Sequence, residues 1–260
     1  MQIFPPHIIQ VNQNKIDEID KMIKSIYRLV IYSRHHLADD VLDSYLKGTH
    51  SLKELLSLKN AQMEAQSELE AKEYLVHFKL ALDFILDEIL IENNFEKEIQ
   101  LFQLLRIASP EAYANHPNRY RSTIVQVGAH ICPEPYLVPS LVNELLYKIQ
   151  SIANPIVRAI YFHHELIRIH PFVDGNGRVT RLAKNWMLMF DLYPPTFMTD
   201  VSKKKIYTGT LSDSFKALNT NPSEWNNSTA LFFENELDNL IENTKTLYNN
   251  LKRTGDKRLN

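Results

Sequence analysis

The sequence predicts a mainly α-helical protein, and three observations carry that expectation. Only 6 glycines occur among 260 residues. Apolar residues recur at spacings of three and four along most of the chain, the period of a helix with one buried face. A β-branched texture bounded by turn residues occurs once, near residues 122–131. The repeat units of solenoids do not occur.

Taken in order, residues 14–33 place Ile16, Ile19, Ile23, Ile26 and Val30 on one stripe, and residues 70–91 place Leu75, Phe78, Leu82, Ile85 and Ile89 on another. Both stripes are faces that a helix turns toward a core. The intervening LKGTHSLKELLSLKNAQMEAQSELEAKEY mixes charge with weak periodicity, as short exposed helices do. From Ser109 the texture changes: Pro110 and Pro117 precede STIVQVGAHI, then comes CPEPYLVP with three prolines. That stretch predicts a small β-hairpin over 122–131 and an extended segment after it. Helical signals return at Pro139 in LVPSLVNELLYKIQ, and again at Asn154-Pro155, a capping residue followed by a proline suited to the first helical position. The helix over 155–170 should bury Ile156, Ala159, Ile160, His163 and Ile167. It ends at His170-Pro171, because proline disfavours helical geometry in the residue before it. The next helix, GRVTRLAKNWMLMF, should bury Leu182, Trp186 and Phe190.

Composition narrows the function classes. With 44% hydrophobic residues the chain can bury a sizeable core, as one large domain or two small ones. The 29 basic and 31 acidic side chains leave a formal charge of −2, so nothing draws the molecule as a whole to nucleic acid or anionic lipid. Any phosphate site must be local. One cysteine, Cys132, excludes an intramolecular disulfide and a thiolate metal cluster and fits a reducing compartment. The first residues lack a basic start followed by an apolar run, and no run of about 18 apolar residues occurs anywhere. A soluble, cytoplasmic protein is the expectation.

The chemistry concentrates in RIHPFVDGNGRVTRL, residues 168–182, which spans a helix end, a tight loop and a new helix start. Asp174-Gly175 is a turn signal, and Gly177 follows one residue later. A helix start offers unpaired N–H groups and a partial positive charge, and the glycines let a phosphate approach the backbone. Arg178 and Arg181 add two cations three residues apart. Asp174 at the edge would repel phosphate unless a divalent cation sat between them, a role that suits Mg²⁺. His170, across the loop, stands as a general base; neighbouring cations should push its pKa below the ordinary value of about 6.5 and keep it neutral. Taken singly, each piece has an ordinary structural reading. Together they describe phosphoryl or nucleotidyl transfer to a hydroxyl. The nearby HHELIRIH does not form the helical face of a zinc protease, because no second histidine stands four residues after the one preceding glutamate. Walker-type Gly-Lys-Ser/Thr spacing is missing too.

The run His170-Pro171-Phe172-Val173-Asp174-Gly175-Asn176-Gly177-Arg178-Val179-Thr180-Arg181 resembles the full HPFx(D/E)GNGRxxR signature of the Fic family. The likeness extends more loosely over about residues 110–235, through YRSTIVQVGAH, RAIYFHHELIRIH, DLYPP and WNNSTALFF. The resemblance implies an all-α core with a β-hairpin flap and additional N-terminal helices. It divides the chain into a helical region over 1–108, a core over 109–235 and a C-terminal helix and tail over 236–260. It implies protein adenylylation: AMP passes from Mg-ATP to a Ser, Thr or Tyr hydroxyl of a target protein and pyrophosphate leaves. His170 would be the base and Asp174 would hold Mg²⁺. Gly175, Asn176 and Gly177 would form an anion hole, Arg178 would steady the phosphates, and Arg181 would reach the γ-phosphate. Phe172 would pack inward. Tyr207, in KKKIYTGTLSDSF, falls near tyrosines that relatives place beside adenine, although a threonine follows it where a second tyrosine is common.

The flap would hold an extended segment of the target by strand addition. A homodimer is one candidate assembly, which the sequence does not decide; nucleic acid and membrane are not expected partners. The competing readings are a Doc-like kinase that moves the γ-phosphate, whose relatives carry lysine where Gly177 stands, and a helical binding module without turnover. An inhibitory [S/T]xxxE[G/N] segment is not intact: in Ser33-Arg34-His35-His36-Leu37-Ala38, leucine stands where glutamate belongs and alanine where glycine or asparagine belongs.

Overall fold

The computed structural model describes residues 1–32, 61–62, 65, 67–197 and 201–256. The segment Ser33 to Ala38 and most of the charged stretch after it lie outside the described residues. Among those described, nine long or short α-helices and one two-stranded hairpin follow in order: α1 Gln13–Tyr32, α2 Glu68–Leu90, α3 Glu98–Ala108, α4 Pro110–Asn115, β1 Gln126–Val127, β2 His130–Ile131, α5 Val138–Ile149, α6 Pro155–Ile169, α7 Asn176–Phe190, α8 Val201–Thr220 and α9 Asn227–Asp256. The fold is all-α with a hairpin, as the sparse glycines and helical spacing predict. No helix among the described residues is long and apolar enough to cross a membrane.

Helix α6 is the central element. Every residue from Ile156 to Ile169 except Arg158 is buried, so this helix has no solvent face and is covered on all sides. Its start is the one the sequence predicts: Asn154 Oδ1 accepts from Val157 N–H at 3.0 Å, and Pro155 opens the first turn. Helices α5 and α7 pack on α6, while α1 and α8 both pack along α9. Ile16, Ile19, Ile23 and Ile26 are buried on α1, so that predicted stripe is its inner face. Leu182 and Trp186 are buried on α7, and Trp186 sits edge-on to Phe84 and Phe95 while donating its indole N–H to Asn93 O at 3.0 Å.

Two details differ from the sequence reading. The segment after the hairpin is extended only to Glu134, because Pro135–Leu137 forms a 3-10 turn that runs straight into α5. Ser109-Pro110 does not end helical structure but opens the short α4, proline again taking the first helical position.

A buried polar network braces one end of α6. Glu165 accepts from Arg168 at 2.6 and 2.9 Å and from the Phe4 N–H at 3.3 Å, and Arg168 also donates to Gln2 O at 2.6 Å. His164 stands 2.9 Å from Glu165 and 2.8 Å from Ser214 Oγ, which in turn meets Thr229 Oγ1 at 2.7 Å. Burial by itself would raise the Glu165 pKa, but Arg168 and His164 outweigh it and hold the carboxyl below its ordinary value. The Ser214, His164, Glu165 trio has the residue types of a hydrolase triad, yet all three side chains are fully enclosed. They tie residues 2–4, α6, α8 and α9 together. No group of three His, Cys, Asp or Glu side chains among the described residues is arranged to cage a metal.

Buried neutral histidines make the fold sensitive to acid. Burial pushes the His163 pKa from 6.5 down to about 4. The unfolded chain therefore takes up a proton near pH 6.5 that the folded chain refuses until about pH 4, so stability is complete above pH 6.5 and falls as pH drops through that window. From pH 7 to pH 5 this one group should remove about 2 kcal/mol. A denaturant midpoint that does not fall over that range, measured at constant ionic strength, would contradict its neutral burial.

Candidate active site

The loop between α6 and α7 begins at a strained residue. His170 closes α6 with its N–H on Leu166 O at 2.9 Å and takes φ 52° and ψ 63°, the left-handed region, which costs a side-chain-bearing residue about 1–2 kcal/mol. Proline at 171 prevents further helix, and Arg121 fixes the turn. Arg121 donates through Nε to His170 O at 2.7 Å, through Nη2 to Pro133 O at 2.6 Å and Ile169 O at 3.3 Å, and through Nη1 to Thr123 O at 2.7 Å. Its backbone N–H bonds Pro171 O at 2.9 Å. One buried arginine thus joins the base of the hairpin to the end of α6.

The rest of the loop is locked from inside. Phe172 is buried against Phe102 and Tyr120, as the resemblance implies. The Asn176 amide closes a double bond with the Phe172 backbone, accepting from its N–H and donating to its carbonyl, each at 2.8 Å. Gly175 caps α7 at φ 79°, and a Cβ there would lie 2.7 Å from Ser109 Cβ. Only glycine meets both demands. Val179 N–H is bonded to Gly175 O, so the amides ahead of it have no acceptor within the helix. A Cβ on Gly177 would fall 2.9 Å from Arg181 Nη2, which shows how closely that guanidinium lies over the first turn of α7.

A cavity of about 440 Å³ opens beside this loop. It is lined by His170 from the end of α6, Gly177 and Arg181 from α7, Tyr207 from α8, and Val127 and Gly128 from the hairpin. Its size falls in the range of roughly 300–1,000 Å³ that holds small-molecule ligands. The cavity therefore brings together His170, Gly177, Arg181 and Tyr207 of the residues singled out in the sequence. Asp174, Gly175, Asn176 and Arg178 form the loop behind them. Asp174 is 72% exposed at the loop apex and accepts from Arg178 Nη2 at 2.9 Å. Arg178 is buried, donates to Ala108 O at 3.0 Å and stacks 4.1 Å over the Tyr74 ring, so its guanidinium is committed away from the cavity.

The His170 ring is held neutral. Burial pushes its pKa from 6.5 to about 4, and the facing Ile167 carbonyl offsets this only in part. The shift has the direction expected from the sequence, but burial is the main cause and cationic neighbours are secondary. Its Nδ1 is enclosed and makes no well-formed hydrogen bond.

The hairpin pairs Gln126 with Ile131 and Val127 with His130 in antiparallel register around Gly128, which takes φ 58°. It is anchored by His130, whose Nδ1 faces Asn219 Nδ2 at 3.1 Å and whose Nε2 faces Arg168 O at 2.9 Å. An amide donor on one nitrogen and a carbonyl on the other require the Nε2–H tautomer. Ile124 and Ile131 remain largely exposed. Sequence reasoning did not single out Arg121 or His130, and no local signal marks a buried arginine or histidine that serves backbone carbonyls from a distant segment.

The fold and loop define a helical protein with a hairpin, whose cavity is lined by a neutral histidine from one helix end and by a glycine and an arginine from the start of the next helix. Residues 97–188 match the model of the Fic/DOC family. Among curated relatives, the protein adenylyltransferase Fic of Nematostella vectensis is 26% identical over 208 residues, covering 74% of this chain and 48% of that relative. The chain thus spans about half the length of that relative and less of others it matches. A Fic domain containing signaling protein from Bacteroides thetaiotaomicron superposes with a TM-score of 0.67 at 19% identity, covering 89% of this chain and 98% of that one. A structure of IbpAFic2 covalently tethered to Cdc42 matches with a TM-score of 0.52 at 18% identity over 90% of this chain and 72% of that chain.

Proposed function

We propose that the protein transfers AMP from Mg-ATP to a hydroxyl of a target protein. The observation that carries this reading is the cavity in which a neutral His170, the Arg181 guanidinium and the first turn of α7 face one space. His170 takes the proton of a Ser, Thr or Tyr hydroxyl as its oxygen bonds the α-phosphorus; the bond from that phosphorus to the bridging oxygen breaks and pyrophosphate departs. Negative charge grows on the leaving group, where fixed N–H donors and a cation act most strongly. The α7 amides around Gly175, Asn176 and Gly177 take the phosphates, and Arg181 takes the distal end. Tyr207 walls the base side.

The residues present suit Mg²⁺, which binds through one or two carboxylates plus phosphate oxygens and water rather than in a protein cage. Asp174 offers one exposed carboxylate beside the helix start. Mg²⁺ held there would neutralise phosphate charge. Arg178 would steer Asp174 and brace the loop, since direct phosphate contact would require it to leave both Asp174 and Ala108 O.

The target would add a strand along the hairpin, where Ile124 and Ile131 supply apolar contacts beside open backbone groups. The relative tethered to Cdc42 supports a protein target in this fold. We place the protein in the cytoplasm, with a homodimer as its proposed assembly. The division at residues 108 and 235 is likewise our proposal.

The kinase alternative has lysine in its relatives where this chain has Gly177. ATP labelled separately at the α- and γ-positions distinguishes the two: label should reach protein only from the α-position. Label arriving only from the γ-position would overturn the assignment.

A further inference from the structure

Tyr207 belongs to two cavities at once. On one face it lines the 440 Å³ cavity with His170 and Arg181. On the other it lines a second cavity of about 180 Å³ between α8 and α9, together with Phe232, Asn235 and Glu242. It is the residue common to the two linings.

That residue is held by a buried chain of polar groups that the reaction itself does not require. The Tyr207 hydroxyl lies 2.8 Å from Nε2 of His163, a fully enclosed residue on α6. Glu236 Oε2 stands 3.5 Å from His163 Nδ1, and Lys184 donates to the same carboxylate oxygen at 2.6 Å. A separation of 3.5 Å is too long for a full hydrogen bond, but a carboxylate at that distance favours the tautomer with its proton on Nδ1. Nε2 is then an acceptor, and the Tyr207 O–H must point inward to meet it. Lys184 keeps the carboxylate ionised: although burial opposes this, the Glu236 pKa lies below its ordinary value. The Tyr207 ring also packs 6.1 Å from Phe232 and 5.5 Å from the His163 ring. Three elements, α6, α7 and α9, thereby converge on one phenol of a fourth.

We propose that His163 is a positioning residue for nucleotide selection: its bond to Tyr207 holds the phenol ring as a partition between the two cavities and so limits the size of base the reaction cavity admits. This rests on the reading of that cavity as an ATP site. A bare structural role for His163 would change stability alone, whereas a partition fixes which nucleotides fit.

The test compares wild type with Tyr207→Ala, Tyr207→Phe, His163→Leu and His163→Gln, using ATP and an N6-benzyl ATP analogue. Binding is measured by calorimetry, and transfer by mass gain on protein. Tyr207→Ala should join the cavities and admit the benzyl analogue at least tenfold better than wild type does. Tyr207→Phe and His163→Leu should each raise the KM for ATP several-fold while kcat changes less, and their effects should not add, since each removes the same bond. His163→Gln, which keeps an acceptor, should restore most of the ATP preference. Thermal melts establish that each variant is folded, and Tyr207→Ala keeps the test open if the His163 variants are not. Wild type that binds no ATP would defeat the assignment of the site and this inference with it. Wild type that binds ATP, alongside folded variants that discriminate between the two nucleotides as it does, would overturn the partition alone.

Discussion

His170→Ala should lower the rate of AMP transfer by about 10²–10⁴-fold, the usual worth of a positioned general base, while ATP affinity stays within about threefold. The proposed roles separate the two effects: His170 would meet the incoming hydroxyl, whereas the phosphates would rest on the α7 start and Arg181. Loss of binding as large as the loss of transfer would show that the imidazole holds ATP rather than the proton. The pH profile gives an independent reading. Burial sets the His170 pKa at about 4, so the ring is neutral, and competent as a base, throughout the range above that value. Transfer per enzyme at low ATP should stay flat from pH 8 to pH 6 and fall only as pH approaches 4. An acid limb centred near 6.5 would place the ring in water instead of under the Arg121 turn.

Gly175→Ala should be the most damaging single methyl in the loop. The residue sits at φ 79°, where a Cβ is strained, and that Cβ would lie 2.7 Å from Ser109 Cβ and 3.1 Å from Leu105 Cδ1. Left-handed backbone costs about 1–2 kcal/mol and overpacking typically another 1–3 kcal/mol. For a chain of this size the sum should lower the melting temperature by roughly 5–15 °C. ATP binding should fall with it, because α7 begins at Gly175 and its amides cannot hold their aim if the cap moves off Ser109. Gly128→Ala is the control: φ is 58° there, but nothing lies within 4 Å of the added atom, so only the backbone cost applies. Equal effects from the two substitutions would mean that contact with Ser109 does not hold the loop.

Much of the fold is legible in the chain because its cues are local. The stripe from Ile16 to Ile26, the Asn154-Pro155 start of α6, and the His170-Pro171 stop each depend on residues within one or two helical turns. The loop is legible for the same reason: Asp174 to Arg181 are contiguous, so their spacing alone puts carboxylate, glycines and cations at one helix start.

What the chain could not show is which of these groups face the cavity. Arg178 and Arg181 read alike as two cations on one helical face. In the folded molecule Arg178 turns to Ala108 O and Tyr74, while Arg181 lies over Gly177 in the cavity wall. The acceptors that decide this, Ala108 and Tyr74, lie on α3 and α2, about 70 and 100 residues away in sequence. The same holds for Arg121 and His163, whose partners sit on separate elements and leave no periodic trace.

The sequence by itself therefore determined a helical protein with a tight, glycine-containing turn between two helices at residues 170–181, since helix starts, stops and turn chemistry are short-range properties of the backbone. Tertiary structure alone decided the rest: that Arg121 holds the hairpin to the end of α6, that burial leaves His170 neutral, and that Tyr207 lines two cavities. Those outcomes depend on desolvation and on hydrogen bonds between distant segments, which exist only once the helices have packed.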